Sequence, residues 1–193
     1  MKRGCYLFLF ILLISLLFSP AIALSKGEDG EKLKILIESH ELKTPNDTGK
    51  TNATRSAELI NGLVLKPGEI FSFNKTIGKV TKNRGFTYGY FLGVDSSGNK
   101  KVYFDSGSGL WRTSTAIFQA ISDIGFEITE RHIIYFPESY TMAGNSAMVK
   151  QNSDLDLQFK NNRDYSIKIE IFVDKNALIS IKIYELISPP EEE

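Results

Sequence analysis

Cysteine is almost absent from this 193-residue chain: there is one, Cys5, ahead of an apolar N-terminal run. If that run leaves as a leader, the remaining chain has no thiol, which excludes disulfides, cysteine nucleophiles and cysteine metal sites. Tryptophan occurs once, Trp111, and histidine twice, His40 and His132. No clustered carboxylate spacing accompanies either histidine, so no metal site is expected, and nothing calls for a cofactor. An excess of one charge is lacking too, since 23 Lys+Arg stand against 23 Asp+Glu. The clustered basic surface that nucleic acid requires is therefore not expected.

Long hydrophobic runs are lacking except at the start. There Lys2 and Arg3 precede the apolar run Tyr6 to Phe18, followed by Pro20 and the small-residue pattern Ala21-Ile22-Ala23. Charge, apolar stretch and small residues in that order read as a secretory signal cleaved after Ala23. The run is short for a bilayer span, which needs about 20 apolar residues. Residues 1–23 thus read as a signal peptide, 24–32 as a flexible polar leader, 33–185 as one domain and 186–193 as a polar tail. The expected localisation is export to the cell envelope or beyond, with membrane contact only through the signal segment.

Within the domain, Leu33 to Glu38 begins a β-type run, and Pro45 to Asn52 has the composition of a loop. Gly49-Lys50-Thr51 lacks the first glycine of a phosphate loop, because position 44 is Thr. A short N-terminal helix is expected over roughly Thr54 to Asn61. Pro67-Gly68 then turns the chain into a strand containing Ile70 to Asn74. Ser72-x-x-Lys75 has the spacing of a serine–lysine pair, but on a strand it reads as chance. Phe86 to Val94 and Lys101 to Asp105, joined by Ser96-Ser97-Gly98-Asn99, form a hairpin by pattern. Phe126 to Arg131, Leu155 to Phe159, Tyr165 to Ile171 and Ala177 to Tyr184 read as further strands. In the last two, Ile167, Ile169, Ile171 and Val173 face Ile179, Ile181 and Ile183, the alternation of an antiparallel sheet with one wet side. The fold class is α+β: an antiparallel sheet with one central helix preceded by a glycine turn, plus the short N-terminal helix.

The stretch that organises the chain is Gly107-Ser108-Gly109-Leu110-Trp111-Arg112-Thr113-Ser114-Thr115, a glycine turn running into a helix. Ile117, Ala120, Ile121 and Ile124 give that helix a buried face, with Gln119, Ser122 and Asp123 on the other and Gly125 as its stop. Ser108 is placed to cap the first turn, whose unpaired N–H groups carry partial positive charge. This stretch resembles the VanW family motif G-G-G-I-C-Q-V-S-T-T-L-Y-N-A. Gly107, Gly109, Ser114, Thr115 and Ala120 match, and the family's cysteine falls on Trp111. Asn61-Gly62, Phe71-Ser72-Phe73-Asn74 and Glu130-Arg131-His132 also resemble family elements. The family's second histidine falls on Ile134, and the Arg and Asp of its G-R-D-A fall on Asn145 and Ser146.

A cysteine at a helix start, with a histidine and a carboxylate, would make a thiol nucleophile, base and orienter. Here those positions hold Trp111, Ile134 and Ser146, so no catalytic residue is assigned and a pseudoenzyme is expected. The resemblance implies association with the bacterial cell wall and with accessory proteins of vancomycin resistance. Peptidoglycan or its peptide stems are the expected partner, in a groove built from Gly107, Gly109, Trp111, Arg112, Ser114, Thr115, Arg131 and His132. In that groove an exposed Trp111 would meet sugar rings and Arg112 would pair with carboxylates. The opposed expectation is that Trp111 fills space in the core. The alternative function is a wall hydrolase or transferase using a Ser or Thr near the turn with His132 as base.

Overall fold

The computed structural model describes residues 33–94, 97–105, 107–133, 141–151 and 153–187. The expected signal peptide and leader, the tail from residue 188 and the family-histidine position Ile134 lie outside the described residues. Among those described, no helix is long and apolar enough to cross a membrane.

The α+β class holds; among the described residues every strand pair is antiparallel, and the strands form three sheets and not one. The largest has the order β1 (Leu33–Lys43), β9 (Leu178–Ile187), β8 (Ser166–Val173), β2 (Leu63–Leu65). Its inner face follows the isoleucine alternation, with Ile169 opposite Ile183, Ile171 opposite Ile181 and Val173 opposite Ile179. All six are buried, each stabilising by about 1.5–3 kcal/mol relative to exposure. The outer face is wet, and there Lys34 and Lys168 both reach the Glu170 carboxylate, at 3.2 and 3.1 Å. A second sheet orders β3 (Ile70–Ser72), β7 (Gln158–Lys160) and β6 (Glu127–Glu130), and the third is the hairpin β4 (Gly89–Val94) with β5 (Lys100–Asp105).

Both expected helices cover the inner face: the N-terminal α1 (Gly49–Ile60) packs on β8, and the central α3 (Leu110–Asp123) packs on α1, β1 and β9. The N-terminal helix starts earlier than composition indicates. The Asp47 carboxylate accepts from the Gly49 N–H at 2.8 Å and so satisfies one of the first-turn donors, which draws residues 49–52 out of the loop and into the helix. A short α2 (Phe73–Ile77) replaces the end of the expected strand after Ile70. Ser72 therefore does stand at a helix start, where its Oγ accepts from the Lys75 N–H at 3.1 Å. That hydroxyl donates to Asp156 at 2.5 Å while Asp156 accepts from the Asn74 N–H at 2.9 Å. With Lys75 exposed, the serine–lysine spacing is a helix cap.

The central helix differs from its sequence reading in being buried almost all round, from Leu110 to Ile121. Gln119, expected on the wet face, is buried because its amide is taken up by His40, Thr141 and Asn145. Ser108 does not cap α3. That place belongs to Gly109 at φ +92°, a left-handed conformation that disfavours any side chain, and a Cβ there would lie 2.1 Å from the Gly49 carbonyl oxygen. The starts of α1 and α3 thus meet backbone to backbone.

Candidate functional site

Around that contact the motif residues form a polar clamp. Asn52, fully buried on α1, donates its amide to the Thr87 carbonyl at 2.8 Å and to the Ser108 carbonyl at 2.7 Å. Its Oδ1 accepts from the Thr87 N–H at 2.8 Å. Ser108 in turn donates to the Tyr90 carbonyl at 3.2 Å. Gly89 leaves room for this, since a Cβ there would stand 2.7 Å from the Ser108 Oγ. One helix, the glycine turn and the entry to β4 are tied together where loss of any one partner would leave buried polar groups unpaired.

The residues expected to line a groove are gathered by the fold, yet most face inward. Trp111 is 8% exposed and belongs to the hydrophobic core, so its ring offers little face to a ligand and the core-filling expectation is the one its burial supports. Arg112, also 8% exposed, places its two terminal nitrogens on the Asp47 carboxylate at 2.8 Å each and donates to the Pro45 carbonyl at 2.9 Å. The guanidinium that was to meet a ligand carboxylate already holds an internal one. It also lies against Gly49, where a Cβ would be 3.0 Å from its central carbon. Hydrogen bonding from Arg112, opposed by burial and helped by the Gly49 N–H, holds the Asp47 carboxyl below its ordinary range.

Ser114 and Thr115 are fully buried. Ser114 donates to the Ala147 carbonyl at 2.6 Å, and Thr115 accepts from the Ala147 N–H at 3.1 Å. Arg131 lies 3.6 Å over the Phe118 ring and donates to the Ser146 carbonyl at 2.8 Å and to the Gly144 carbonyl. The segment replacing the family's G-R-D-A is thus latched by its backbone. His132, half-buried, pairs with Glu130 at 2.9 Å, a base–orienter arrangement. Among the described residues, the Ser108 and Ser114 hydroxyls both donate to carbonyls and not to His132. Of the two glycines of the expected groove, Gly107 has open space where a Cβ would stand and Gly109 does not.

What the clamp presents outward is the β4–β5 hairpin. Tyr90 pairs with Phe104 across it, with ring centroids 4.8 Å apart, and Tyr88 stacks on Phe104 at 5.5 Å. Tyr90 is 68% exposed and Phe104 59%, with Tyr88 and Val102 also open. Lys82 lies 5.6 Å over the Tyr88 ring. A shallow depression of about 710 Å³ is bounded by Lys82, Phe86, Tyr88 and Phe104. At Gly85 it meets a second, of about 680 Å³, bounded by Lys50, Arg55, Glu58 and Arg84. An aromatic shelf thus runs on into a mainly basic groove. Sequence reading missed it because the hairpin carries apolar residues at both parities, so alternation does not say which face is open.

A family model described as VanW like protein matches residues 48–184. The chain belongs to the VanW family. Two relatives give its range. The uncharacterized protein YoaR of Bacillus subtilis (strain 168) is 29% identical over 124 residues, 64% of this chain and 39% of that protein. The vancomycin B-type resistance protein VanW of Enterococcus faecalis (strain ATCC 700802 / V583) is 28% identical over 133 residues, 66% of this chain and 46% of that protein. The chain spans less than half the length of either of these curated relatives. No solved structure matches it. The VanW-like region takes in the Asn52 clamp, the glycine turn, the shelf and Arg131, and it leaves β1 outside.

Proposed function

We propose that this VanW-family chain is an exported, non-catalytic module that binds peptidoglycan, with the β4–β5 shelf as its contact surface. The observation that carries the reading is the exposed trio of rings on Tyr88, Tyr90 and Phe104, held on a hairpin whose root is locked by buried hydrogen bonds. A soluble domain rarely leaves such a patch without a use. Aromatic faces contact the C–H faces of sugar rings, and tyrosine adds a hydroxyl at the wet edge. Next to them Lys82, Lys50 and Arg84 suit the carboxylates that peptidoglycan stems carry. Export rests on the N-terminal sequence pattern, and the non-catalytic reading on the thiol-free mature chain. A contribution to vancomycin resistance, the property in the enterococcal relative's name, belongs to the same proposal and would be exerted at the wall.

The test is co-sedimentation of the mature protein with purified sacculi. The wild type is expected in the pellet, and Tyr90→Ala is expected to stay in the supernatant while melting as the wild type does. Equal pelleting of the two would overturn the assignment of the shelf. The hydrolase alternative keeps one supporting observation, the His132–Glu130 pair, and requires a hydroxyl to reach His132. Labelling of a serine by a fluorophosphonate probe would favour it.

A further inference from the structure

The far end of α3, away from the glycine turn, meets two groups from which chain order keeps it far apart. Asp123 ends the helix, and Glu38 and His40 lie on β1. One ligand atom from each lies within 4.8 Å of the others. Strand pairing explains why both β1 residues face the helix. Leu36 pairs with Tyr184 and Glu38 with Ile183, so Ile37 is an extra residue and the strand has a bulge. Beyond it Glu38 is opposite Ile183 and His40 opposite Ile181, both of which are buried under the helices. A bulge of this kind re-aims side chains, and here it swings Glu38 from the wet face toward the end of α3.

The decisive feature is the orientation of His40. The Gln119 amide nitrogen donates to the Asn145 carbonyl at 2.9 Å and to the Thr141 hydroxyl at 3.1 Å. A carbonyl only accepts, which fixes the Gln119 oxygen toward His40, 2.9 Å from Nε2. Nε2 must therefore carry a proton, and in the neutral ring Nδ1 presents a lone pair. That lone pair faces the Asp123 carboxylate at 3.5 Å. Two lone pairs facing one another repel, and a positive centre between them, a proton or a metal ion, turns the contact into an attraction. Gln119, 8% exposed, stands to His40 as an outer-shell partner stands to a metal-ligating histidine, fixing its tautomer and ring plane.

We propose that Glu38, His40 and Asp123 form a divalent transition-metal site of the zinc class, with His40 Nδ1 and the two carboxylates as ligands. One imidazole and two carboxylates suit such an ion, and bonds of about 2.0–2.1 Å in a tetrahedron put ligand atoms about 3.4 Å apart. The His40–Asp123 separation of 3.5 Å fits that edge. The carbonyl end of the α3 dipole adds negative potential there. Asp123 is 58% exposed, so the fourth position is open to water and the ion exchanges. Bound, it clips the end of the central helix to the edge strand of the large sheet.

The experiment is calorimetric titration of the chelator-stripped mature protein with zinc chloride at pH 7.5, alongside melting curves. One saturable site and a higher melting temperature are expected. Asp123→Asn, a surface change that leaves the fold intact, should weaken binding at least tenfold; His40→Gln should abolish it, and His132→Gln should leave it unchanged. Absence of saturable binding, or equal binding by Asp123→Asn, would overturn the proposal. So would a nitrogen-15 spectrum showing both His40 ring nitrogens protonated under saturating zinc, because a proton would then fill the place assigned to the metal.

Discussion

The glycine turn and the β4–β5 hairpin are neighbours with opposite characters. The turn and the helix start it opens hold the stretch that aligns with the family motif, and nearly all of its residues are buried and committed to internal partners: Trp111 to the core, Arg112 to Asp47, Ser114 and Thr115 to Ala147. The hairpin has no comparable motif, and its rings are open to solvent. The difference teaches that a recognisable sequence element can be the mounting and not the tool. Asn52 and Ser108 spend their hydrogen bonds on the backbone of Thr87 and Tyr90, and the product of that work is a hairpin held in place.

Breaking the mounting should therefore cost stability. Trp111→Ala has the largest expected effect, about 3–5 kcal/mol for a large buried ring replaced by a cavity, read as a fall in the denaturant midpoint. A loss below about 1 kcal/mol would return Trp111 to the surface. Asn52→Ala comes next. It strands the Thr87 N–H and two carbonyls, and each buried group left unpaired costs about 1–3 kcal/mol. Hydrogen exchange should show the β4 entry opening before the β8–β9 core; unchanged protection at Thr87 would break the comparison.

A smaller effect is expected at Asp47. Replacing it with Asn removes the charge facing buried Arg112, about 1–3 kcal/mol, toward the low end because Asp47 is half exposed. The pH dependence has a definite sign. The folded-state pKa of Asp47 is depressed, so its contribution is complete above the ordinary carboxylate value of about 3.9 and is lost as pH falls through the lower folded value. Wild type should lose stability more steeply than Asp47→Asn below about pH 4, and parallel curves would refute the pairing. The smallest stability effect belongs to the hairpin, where Tyr90→Ala or Phe104→Ala should change stability by no more than about 0.5 kcal/mol.

Sequence periodicity disclosed most of the scaffold. The isoleucine alternation of β8 and β9 and the buried stripe of α3 are set by burial on one face, which a period of two or 3.6 reports directly. It failed where a distant partner decides. Residues 49–52 look like loop until Asp47 accepts from Gly49, and Phe73-Asn74 look like strand until Ser72 and Asp156 cap a helix. Gln119 looks solvent-facing until His40 arrives from β1. The candidate site was less legible for the same reason. Trp111 and Arg112 are chemically suited to a ligand, and only tertiary packing shows that their partners are internal. The shelf and the Glu38–His40–Asp123 cluster join residues from different elements, which no local pattern displays.

The most direct measurement of the central claim is a binding isotherm on purified sacculi for wild type, the double variant Tyr90→Ala/Phe104→Ala, and Trp111→Phe, which keeps an aromatic filler in the core. Each aromatic anchor of a recognition surface contributes about 2 kcal/mol or more, and 1.4 kcal/mol is tenfold. The double variant should therefore lose at least about tenfold in affinity at an unchanged melting temperature, with Trp111→Phe binding as wild type. Wild-type affinity in the double variant together with loss of binding in a folded Trp111→Phe protein would contradict the account and return the site to the glycine turn.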